Sequence, residues 1–368
     1  MLKVLTILGT RPELIRLNLI LKKLDKLSDH VIVHTGQNYD FNLDGVFIEQ
    51  LGIRKPDYYL GAKGTFAQEI ATIITGLEEI LKKEKPDRFL VLGDTNSSLG
   101  AIIAKRLHIP VYHMEAGNRC YDDKVPEEVN RRIIDHSSDI NMPYTYRSRE
   151  HLLSEGIPGY RIYVTGDPIY EVINHYKKEI DESQILKKLA LKERKYFLVT
   201  THREENVDNP ERLKSFISAF EQLVGEYKMP LIWSIHPRTR KRLEEAKISA
   251  QHHQNGIIFS EPLGFFEFIK LEKNAFCVLS DSGVVQEESS IFNTPLVTVR
   301  DTTERPETLD AGSNMLSGTN SEDILRCVKV VTSEKLKWNA PAEYLIENVS
   351  DIVINILLSS TFFKYSRP

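Results

Sequence analysis

A repeated unit of apolar run, polar turn and helical segment places the strongest constraint on the fold of this chain. Its clearest copy lies in residues 275–307, where the apolar run 276–279 leads into the polar turn 280–283. Residues 284–291 are then predicted as a helix, and residues 296–299 form a second apolar run. Strand, tight turn, helix and strand make the parallel unit of an α/β sheet. Such sheets bind ligands at the carboxyl ends of their strands, which is where this turn would lie.

The same unit recurs in both halves of the chain and predicts a parallel sheet in each half. Apolar runs of strand length end at polar or charged turns, and segments with apolar residues at helical spacing follow several of them. Further strands are predicted at residues 4–8, 30–34, 89–92, 110–114, 161–164, 196–200 and 230–235. The longer predicted helices span residues 66–83, 99–107, 126–136, 321–331 and 342–358.

The length of 368 residues fits two domains. A glycine- and proline-containing break at residues 165–168 precedes a segment rich in lysine and glutamate. We therefore place one domain over residues 1–168 and a second over 169–341, with 342–368 as a separate C-terminal segment.

Charge and cysteine content argue against several classes of protein. A net charge of −4 and a pI near 6.3 provide no basic surface for nucleic acid. The chain opens with an apolar strand and a glycine turn, so we expect neither a signal peptide nor membrane insertion. Three widely spaced cysteines without zinc-ligand spacing indicate reduced thiols in a cytoplasmic protein, and no metal site is predicted.

The turn 280–283 predicts an anion site in the second half. Ser282 and Gly283 would present backbone N–H groups at a helix N-terminus, and Gly283 would let a diphosphate approach the backbone closely. Glu287 and Glu288 follow on this helix. Since adjacent residues point to different helix faces, one could reach ribose hydroxyls while the other meets solvent or a cation.

A charged run at residues 300–307 follows the next predicted strand. A solvated loop is one interpretation. A phosphate site is the other, because the run follows a strand end beside the turn 280–283. Arg305 is then the expected phosphate clamp, since guanidinium binds phosphate oxygens in bidentate fashion.

Three acidic residues mark a second candidate site in the first half. Asp94 follows the strand 89–92, although a helix-cap or turn role would also explain it. Glu115 ends the strand 110–114, where a carboxylate is costly to bury without a partner or a task. Glu127 lies in the first turn of a helix. If the sheet is wound regularly, the three carboxylates converge at one edge.

Basic residues and histidines at other turns complete the candidates. Arg11 and Arg16 begin the first helix, where they could bind an anion or simply be exposed. His202 follows the strand 196–200 and is either an acid–base group or structural. The candidate substrate-binding residues are Arg11, Arg16, Arg131, His236, Phe268, Ser282, Gly283, Glu288 and Arg305.

Seven short motifs carry a resemblance to a known family. They are Gly9-Thr10-Arg11-Pro12-Glu13, Gly93-Asp94-Thr95, Met114-Glu115-Ala116-Gly117, Pro126-Glu127-Glu128-x-Asn130-Arg131, Thr201-His202-Arg203-Glu204, Asp281-Ser282-Gly283-x-x-Gln286-Glu287-Glu288 and Arg300-Asp301-Thr302-Thr303-Glu304-Arg305-Pro306-Glu307. In this order, over nearly the whole chain, they resemble the signature set of the non-hydrolysing UDP-N-acetylglucosamine 2-epimerases.

The resemblance implies a GT-B fold of two Rossmann-like domains, with an interdomain cleft and a last helix that returns to the first domain. It implies inversion at C2 of a UDP-N-acetylhexosamine through elimination and re-addition of UDP by way of 2-acetamidoglucal, with no cofactor. By the same resemblance Asp94, Glu115, Glu127 and His202 are catalytic. Arg11, Ser282, Glu288 and Arg305 match nucleotide and phosphate contacts, and Arg16 occupies a position usually held by lysine. A cytoplasmic homodimer in cell-surface polysaccharide synthesis is expected.

Two departures leave the substrate and its regulation open. Residues 37–40, Gln-Asn-Tyr-Asp, differ from the Gln-His-Arg pattern that many members use to bind a second UDP-N-acetylglucosamine as activator. Residues 117–122 and 132–136 look more like the capsule and O-antigen branch. Members of that branch act in UDP-N-acetyl-L-fucosamine synthesis or on UDP-diacetamido-glucuronate. A UDP-sugar glycosyltransferase of the same fold and a non-catalytic sugar-nucleotide-binding regulator are the rival interpretations.

Overall fold

The computed structural model describes residues 1–36, 47–235, 237–245, 253–333 and 337–360. These divide into two compact units. The first comprises Met1–Asn174 and the C-terminal segment from Glu343, and the second comprises His175–Ala342. The sequence placed the junction at Pro168, six residues before this division.

The first unit is built on a six-stranded sheet in the order β3-β2-β1-β4-β5-β6. All of its strand pairs are parallel. Order 3-2-1-4-5-6 is that of a doubly wound Rossmann sheet, in which the direction of winding reverses between β1 and β4. The strands are β1 (Lys3–Leu8), β2 (Asp29–His34), β3 (Tyr58–Tyr59), β4 (Arg88–Leu92), β5 (Val111–Met114) and β6 (Ile140–Met142).

Helices on both faces of this sheet bury their apolar stripes against it. The first helix buries Leu14, Leu17, Leu21 and Leu24 at helical spacing, and Pro12 suits its first turn because the missing N–H has no partner there. The helices are α1 (Arg11–Leu27), α2 (Phe66–Glu84), α3 (Ala101–Arg106), α4 (Pro126–Ser137), α5 (Tyr146–Ser154) and α6 (Ile169–His175).

The second unit has a seven-stranded sheet in the order β13-β12-β11-β7-β8-β10-β9. Apart from the antiparallel edge strand β9, its pairs are parallel. Without β9 this is the Rossmann order again, with the reversal between β7 and β11. The strands are β7 (Phe197–Thr200), β8 (Leu231–Ser234), β9 (His253–Gln254), β10 (Ile257–Ser260), β11 (Cys277–Ser280), β12 (Leu296–Thr298) and β13 (Asn314–Leu316).

Two apolar clusters cover the faces of the second sheet. One contains Phe216, Phe220 and Trp233, and the Phe220 ring lies 6.1 Å from that of Phe216 and 5.0 Å from that of Trp233. The other contains Tyr196 and Leu271. The helices are α7 (Lys177–Glu182), α8 (Ile185–Lys188), α9 (Glu204–Val207), α10 (Pro210–Tyr227), α11 (Pro237–Glu245), α12 (Phe265–Asn274), α13 (Gly283–Phe292), α14 (Pro306–Asp310) and α15 (Ser321–Ser333). The predicted α/β fold with a parallel sheet in each of two domains is confirmed.

The last helix, α16 (Val349–Leu358), belongs to the first unit and packs on α1. The Arg88 guanidinium at the start of β4 donates to the carbonyl oxygens of Leu357 and Ser359, the latter at 2.8 Å. Glu171 accepts from the Ser350 amide at 2.7 Å. These bonds attach both ends of the helix to the first unit.

Two local predictions are wrong. Residues 161–164 are not a strand, because a 3-10 turn takes up Gly159–Arg161 and is followed by only one isolated bridge, from Ile162 to Asn141 of β6. Residues 342–358 are not one helix, since a 3-10 turn at Ala342–Leu345 is separated from α16 by a break at Asn348. Within the described residues, no helix is long and apolar enough to cross a membrane.

Candidate functional site

In the first unit, the predicted turns lie at the carboxyl ends of β1 and β4, where the winding reverses. Glu13, in the first turn of α1, is fully buried and bridges them. Its Oε2 accepts from the Gly9 and Thr10 amides at 2.9 and 2.7 Å and from the Thr10 hydroxyl at 2.8 Å. Its Oε1 accepts from the Thr95 hydroxyl at 3.1 Å. Burial outweighs these donors and raises the pKa of Glu13 to about 7.

Asp94, in the β4 turn, is paired with an arginine of α4. The Arg131 guanidinium donates from Nε to Asp94 Oδ2 at 3.0 Å, and its Nη2 lies 2.8 Å from the same oxygen. Asn130 donates to the Asp94 carbonyl oxygen at 3.0 Å. The Asp94 side chain keeps 21% exposure, so it is held by the helix and still accessible.

Glu115 follows β5 with a left-handed backbone, φ 62°, a conformation that side-chain-bearing residues adopt only where the surroundings impose it. Arg16 Nη1 donates to Glu115 Oε2 at 2.6 Å, and the Tyr144 hydroxyl lies 3.4 Å from that oxygen. A Cβ added to Gly93 would lie 3.6 Å from Glu115 Oε2. The Glu115 carboxylate therefore lies against the turn that carries Asp94, as predicted from neighbouring strand ends.

Glu127 and Glu128 both lie in the first turn of α4, but they differ in burial. Glu127 is half-buried, and Glu128 is fully buried and bonded to the loop before the helix. The Glu128 carboxylate accepts from the Cys120 and Tyr121 amides at 3.1 Å each and from Arg131 at 2.7 Å. Burial opposes ionisation of Glu128, but the Cys120 amide and the Arg131 charge outweigh it and lower its pKa. Glu128 thus orients Arg131 towards Asp94, and the catalytic role of Glu127 stays a prediction.

A buried ionic network that the sequence analysis missed lies behind these acids. His113 Nδ1 lies 2.9 Å from Asp135 Oδ1, and its Nε2 lies 2.9 Å from the Gly93 carbonyl oxygen. Asp135 also pairs with Arg119 at 2.8 Å and accepts from the Gly117 amide at 3.2 Å. The network therefore joins the turn before Asp94 to the turn after Glu115. His113, a polar residue inside the predicted apolar strand 110–114, was the sequence feature that could have indicated this network.

In the second unit, the corresponding position is occupied by Asp281. It follows β11, is fully buried, and accepts from the His202 and Arg203 amides at 3.1 and 3.0 Å. The Asn206 side-chain amide also donates to it at 3.1 Å. One carboxylate thus joins the turns at the ends of β7 and β11, where this sheet reverses its winding.

The charged run 300–307 is not a solvated loop, because Arg300, Glu304 and Arg305 are all buried. Arg305 Nε donates to Glu287, so of the two adjacent glutamates this one meets the cation. The Glu304 carboxylate accepts from Arg300 at 2.7 Å and from Arg203 at 3.0 Å. Three arginines are therefore gathered beside the N-terminus of α13, each held by a carboxylate.

The turn before α13 differs from its prediction in detail. Ser282 is the cap residue, but its N–H donates to the Ser280 hydroxyl at 3.0 Å and so is already engaged. A Cβ on Gly283 would lie 2.7 Å from Glu304 Oε1. The close approach that requires glycine here is thus made by a side chain of the same unit.

Glu288 is buried beside a second carboxyl group, Glu272 of α12. Ser289 donates to Glu272 Oε1 at 2.7 Å, and burial raises the pKa of Glu272 to about 8. Burial therefore favours the protonated form of Glu272 beside Glu288. Among the other candidates, Arg11 lies 5.6 Å from the Phe47 ring, and Phe268 packs on the apolar cluster that contains Tyr196. His236 and residues 37–40 lie outside the described residues.

Comparisons with known proteins agree with this architecture. The family profile for UDP-N-acetylglucosamine 2-epimerase matches residues 22–358. A UDP-N-acetylglucosamine 2-epimerase from Methanocaldococcus jannaschii is 41% identical over 347 residues, covering 92% of this chain and 95% of that protein. A UDP-2,3-diacetamido-2,3-dideoxy-D-glucuronate 2-epimerase from Pseudomonas aeruginosa is 36% identical over 334 residues, covering 89% and 92%. The crystal structure of the M. jannaschii UDP-GlcNAc 2-epimerase in complex with UDP-GlcNAc and UDP has a TM-score of 0.90 at 39% identity, covering 97% and 99%.

Proposed function

Since this chain belongs to the UDP-N-acetylglucosamine 2-epimerase family and is therefore a sugar-nucleotide epimerase, we propose that it interconverts UDP-N-acetylglucosamine and UDP-N-acetylmannosamine by inverting C2. The observation that carries the proposal is the meeting of two acidic turns at the winding reversal of the first sheet. There Glu115 lies against the Asp94 turn, and each carboxylate is paired with one arginine.

The acids of the first unit would move the C2 proton. A carboxylate base removes it, the C1–O bond to UDP breaks, and the electron pair of the C2–H bond forms the C1–C2 double bond of 2-acetamidoglucal. UDP then adds back to C1 while an acid delivers a proton to the opposite face of C2. Asp94, Glu115 and Glu127 are proposed for these two roles. Arg16 and Arg131 keep Glu115 and Asp94 in place.

The second unit would hold UDP. Its turn after β11 carries Ser282 and Gly283, and Arg305 lies beside the same helix start. Cations and helix N-termini stabilise the charge that develops on a leaving diphosphate. We propose His202, Arg305, Ser282 and Gly283 as diphosphate contacts, and Arg11 of the first unit stays a substrate-binding prediction from the sequence. Glu288 is proposed to contact the nucleotide, and Phe268 and His236 stay substrate-binding predictions from the sequence.

A related UDP-sugar is the second candidate substrate. The Pseudomonas aeruginosa relative at 36% identity acts, by its name, on a diacetamido-glucuronate sugar. A carboxylate at C5 and an acetamido group at C3 distinguish that substrate from UDP-N-acetylglucosamine. UDP-N-acetyl-L-fucosamine synthesis remains the other sequence-based alternative. A panel of UDP-sugars followed by proton NMR at C2 discriminates among them.

The proposal is tested by turnover of UDP-N-acetylglucosamine in D2O. We expect deuterium at C2 of both recovered substrate and product, with the UDP-sugar intact. Turnover with unlabelled C2 contradicts proton abstraction. Transfer of the sugar to an acceptor without C2 exchange supports a glycosyltransferase, and UDP-sugar binding without exchange across the panel supports the regulator.

The cellular setting is proposed on separate grounds. All three cysteines are free thiols, with Cys277 and Cys327 buried, and this supports a reducing compartment such as the cytoplasm. A homodimer that supplies precursors of a cell-surface polysaccharide is our proposal from the family. Light scattering of the purified chain tests the dimer.

A further inference from the structure

Asp281 contacts the ring of His202 as well as the backbone of its turn. Asp281 Oδ1 lies 3.3 Å from His202 Nδ1. The carboxylate is fully buried, whereas the His202 side chain is 47% exposed. A buried acid therefore lies behind a histidine whose ring remains accessible.

This contact distinguishes the two ring nitrogens. A carboxylate only accepts hydrogen bonds, so a neutral imidazole satisfies it by carrying its hydrogen on Nδ1. Nε2, at the other edge of the ring, then has a free lone pair. In the protonated ring, both nitrogens carry hydrogen and the positive charge lies beside the carboxylate. Acid–base histidines are oriented by a third group in this way.

We infer that Asp281 is a positioning residue for His202, which fixes the ring with Nδ1–H towards the carboxylate and Nε2 towards the diphosphate of the substrate. In the protonated ring, Nε2–H donates its proton to a β-phosphate oxygen as the C1–O bond breaks, which leaves the neutral ring with its hydrogen on Nδ1, and the proton returns to Nε2 when UDP re-adds. The contact of Nδ1 with Asp281 rests on the structure alone, and the diphosphate at Nε2 rests on the proposed function. The proton transfer rests on the proposed function.

A purely structural role for Asp281 would not require its contact with the His202 ring. Two backbone amides and Asn206 already donate to this carboxylate, and these bonds would hold the turn without any contact to the ring. Asn206→Ala removes one of these donors and leaves the ring contact in place. It therefore serves as the matched control for loosening of the turn.

The test uses the full chain labelled with ¹⁵N-histidine, and long-range ¹H–¹⁵N NMR reports the tautomer of His202. His202→Gln identifies its signals. We expect Nδ1–H in the wild type and in Asn206→Ala, and a gain of the Nε2–H form in Asp281→Asn. An Nε2–H tautomer in the wild type overturns the inference without any variant, as does an unchanged tautomer in Asp281→Asn.

Activity then tests the proton transfer. We expect the rate of C2 deuterium exchange in Asp281→Asn to fall by about 10²-fold or more. The loss should vanish in a His202→Gln background, because residues that act as a unit are not additive. Equal losses in both backgrounds contradict a role through His202. A wild type that exchanges no UDP-sugar contradicts the proposed function and leaves the tautomer result standing.

Discussion

Each unit joins the two turns at its winding reversal with one buried carboxylate, but the two carboxylates differ in their partners. Glu13 accepts hydrogen bonds from two amides and two hydroxyls. Asp281 accepts from two amides and a carboxamide and also contacts the His202 ring. In the first unit, the carboxylate that shapes the turns is thus separate from the proposed reacting acids. In the second, it contacts a proposed reacting group directly.

This difference in hydrogen-bond partners indicates which substitutions each unit tolerates. Asp94 and Glu115 each have an arginine partner of their own, so altering one of these acids leaves Glu13 and the turns intact. Altering Asp281 affects both the turn and the His202 ring. Substitutions in the first unit should therefore separate chemistry from folding more cleanly than those in the second.

The largest expected effect is that of Asp94→Asn. The amide cannot abstract a proton, and general acid–base groups contribute about 10²–10⁴-fold to rate. We expect C2 exchange to fall by about 10³-fold, with UDP affinity and the free energy of unfolding little changed. Folding is preserved because Arg131 keeps its 2.7 Å contact to Glu128. Deuterium incorporation and UDP calorimetry measure the two quantities.

Asn130→Ala is the matched control, since it removes a bond to the Asp94 carbonyl oxygen but leaves the carboxylate. Its exchange rate should stay within about tenfold of the wild type, since a neutral hydrogen bond contributes only about 1 kcal/mol. Near-normal exchange in Asp94→Asn would remove Asp94 from the proposed chemistry and weaken the contrast between the units.

Glu13→Gln should change the pH dependence of stability. The folded-state pKa of Glu13 is about 7 against a reference of 4.5, so the native state holds a proton that the unfolded state loses. This contribution is fully present below pH 4.5 and is lost as pH rises through 7. Across that window the wild type should lose about 1.4 kcal/mol per pH unit relative to Glu13→Gln. Urea unfolding at pH 5, 6 and 7, chosen from the same window, measures the difference.

Thr95→Val is the companion variant. It removes the hydroxyl that donates to Glu13 Oε1 at 3.1 Å, so the Glu13 carboxyl group should become harder to ionise in the native state. The pH range over which stability is lost should then extend to higher pH. If the free energy of unfolding changed with pH in the same way in the wild type and in Glu13→Gln, the four donors would be keeping Glu13 ionised.

The strand-and-turn framework and the acids at strand ends could be predicted because both follow from local patterns. Apolar runs mark β1, β4, β5, β7 and β11, and polar turns mark their ends. The partners of the acids could not be predicted in this way. Arg16 and Glu115 are 99 residues apart, and Arg305 and Glu287 are 18 apart, so their pairing depends on how the sheet brings distant turns together. Of the two adjacent glutamates, one was expected to meet solvent or a cation, and Glu287 does meet Arg305. The burial of both glutamates was not predicted.

Arg16→Lys should have the smallest effect of the three. Arg16 contacts Glu115 through Nη1 at 2.6 Å, and its guanidinium lies 5.5 Å from the Tyr144 ring. Lysine keeps the charge and one donor but loses the planar contact with tyrosine. Since a cation–π contact is worth about 0.5–2 kcal/mol, we expect kcat/KM to fall about two- to thirtyfold. Initial rates measure it, with Arg16→Met as the charge-free comparison.

Arg16→Met should lose far more, because removing one member of a buried ion pair costs about 3–5 kcal/mol. The loss caused by Arg16→Lys should also disappear in a Glu115→Gln background if Arg16 acts through that carboxylate. If lysine were as damaging as methionine, charge alone would not hold Glu115. The planar shape of the Arg16 guanidinium would then matter for Glu115, as the orientation of the ring matters for His202. The two units would differ less than we infer.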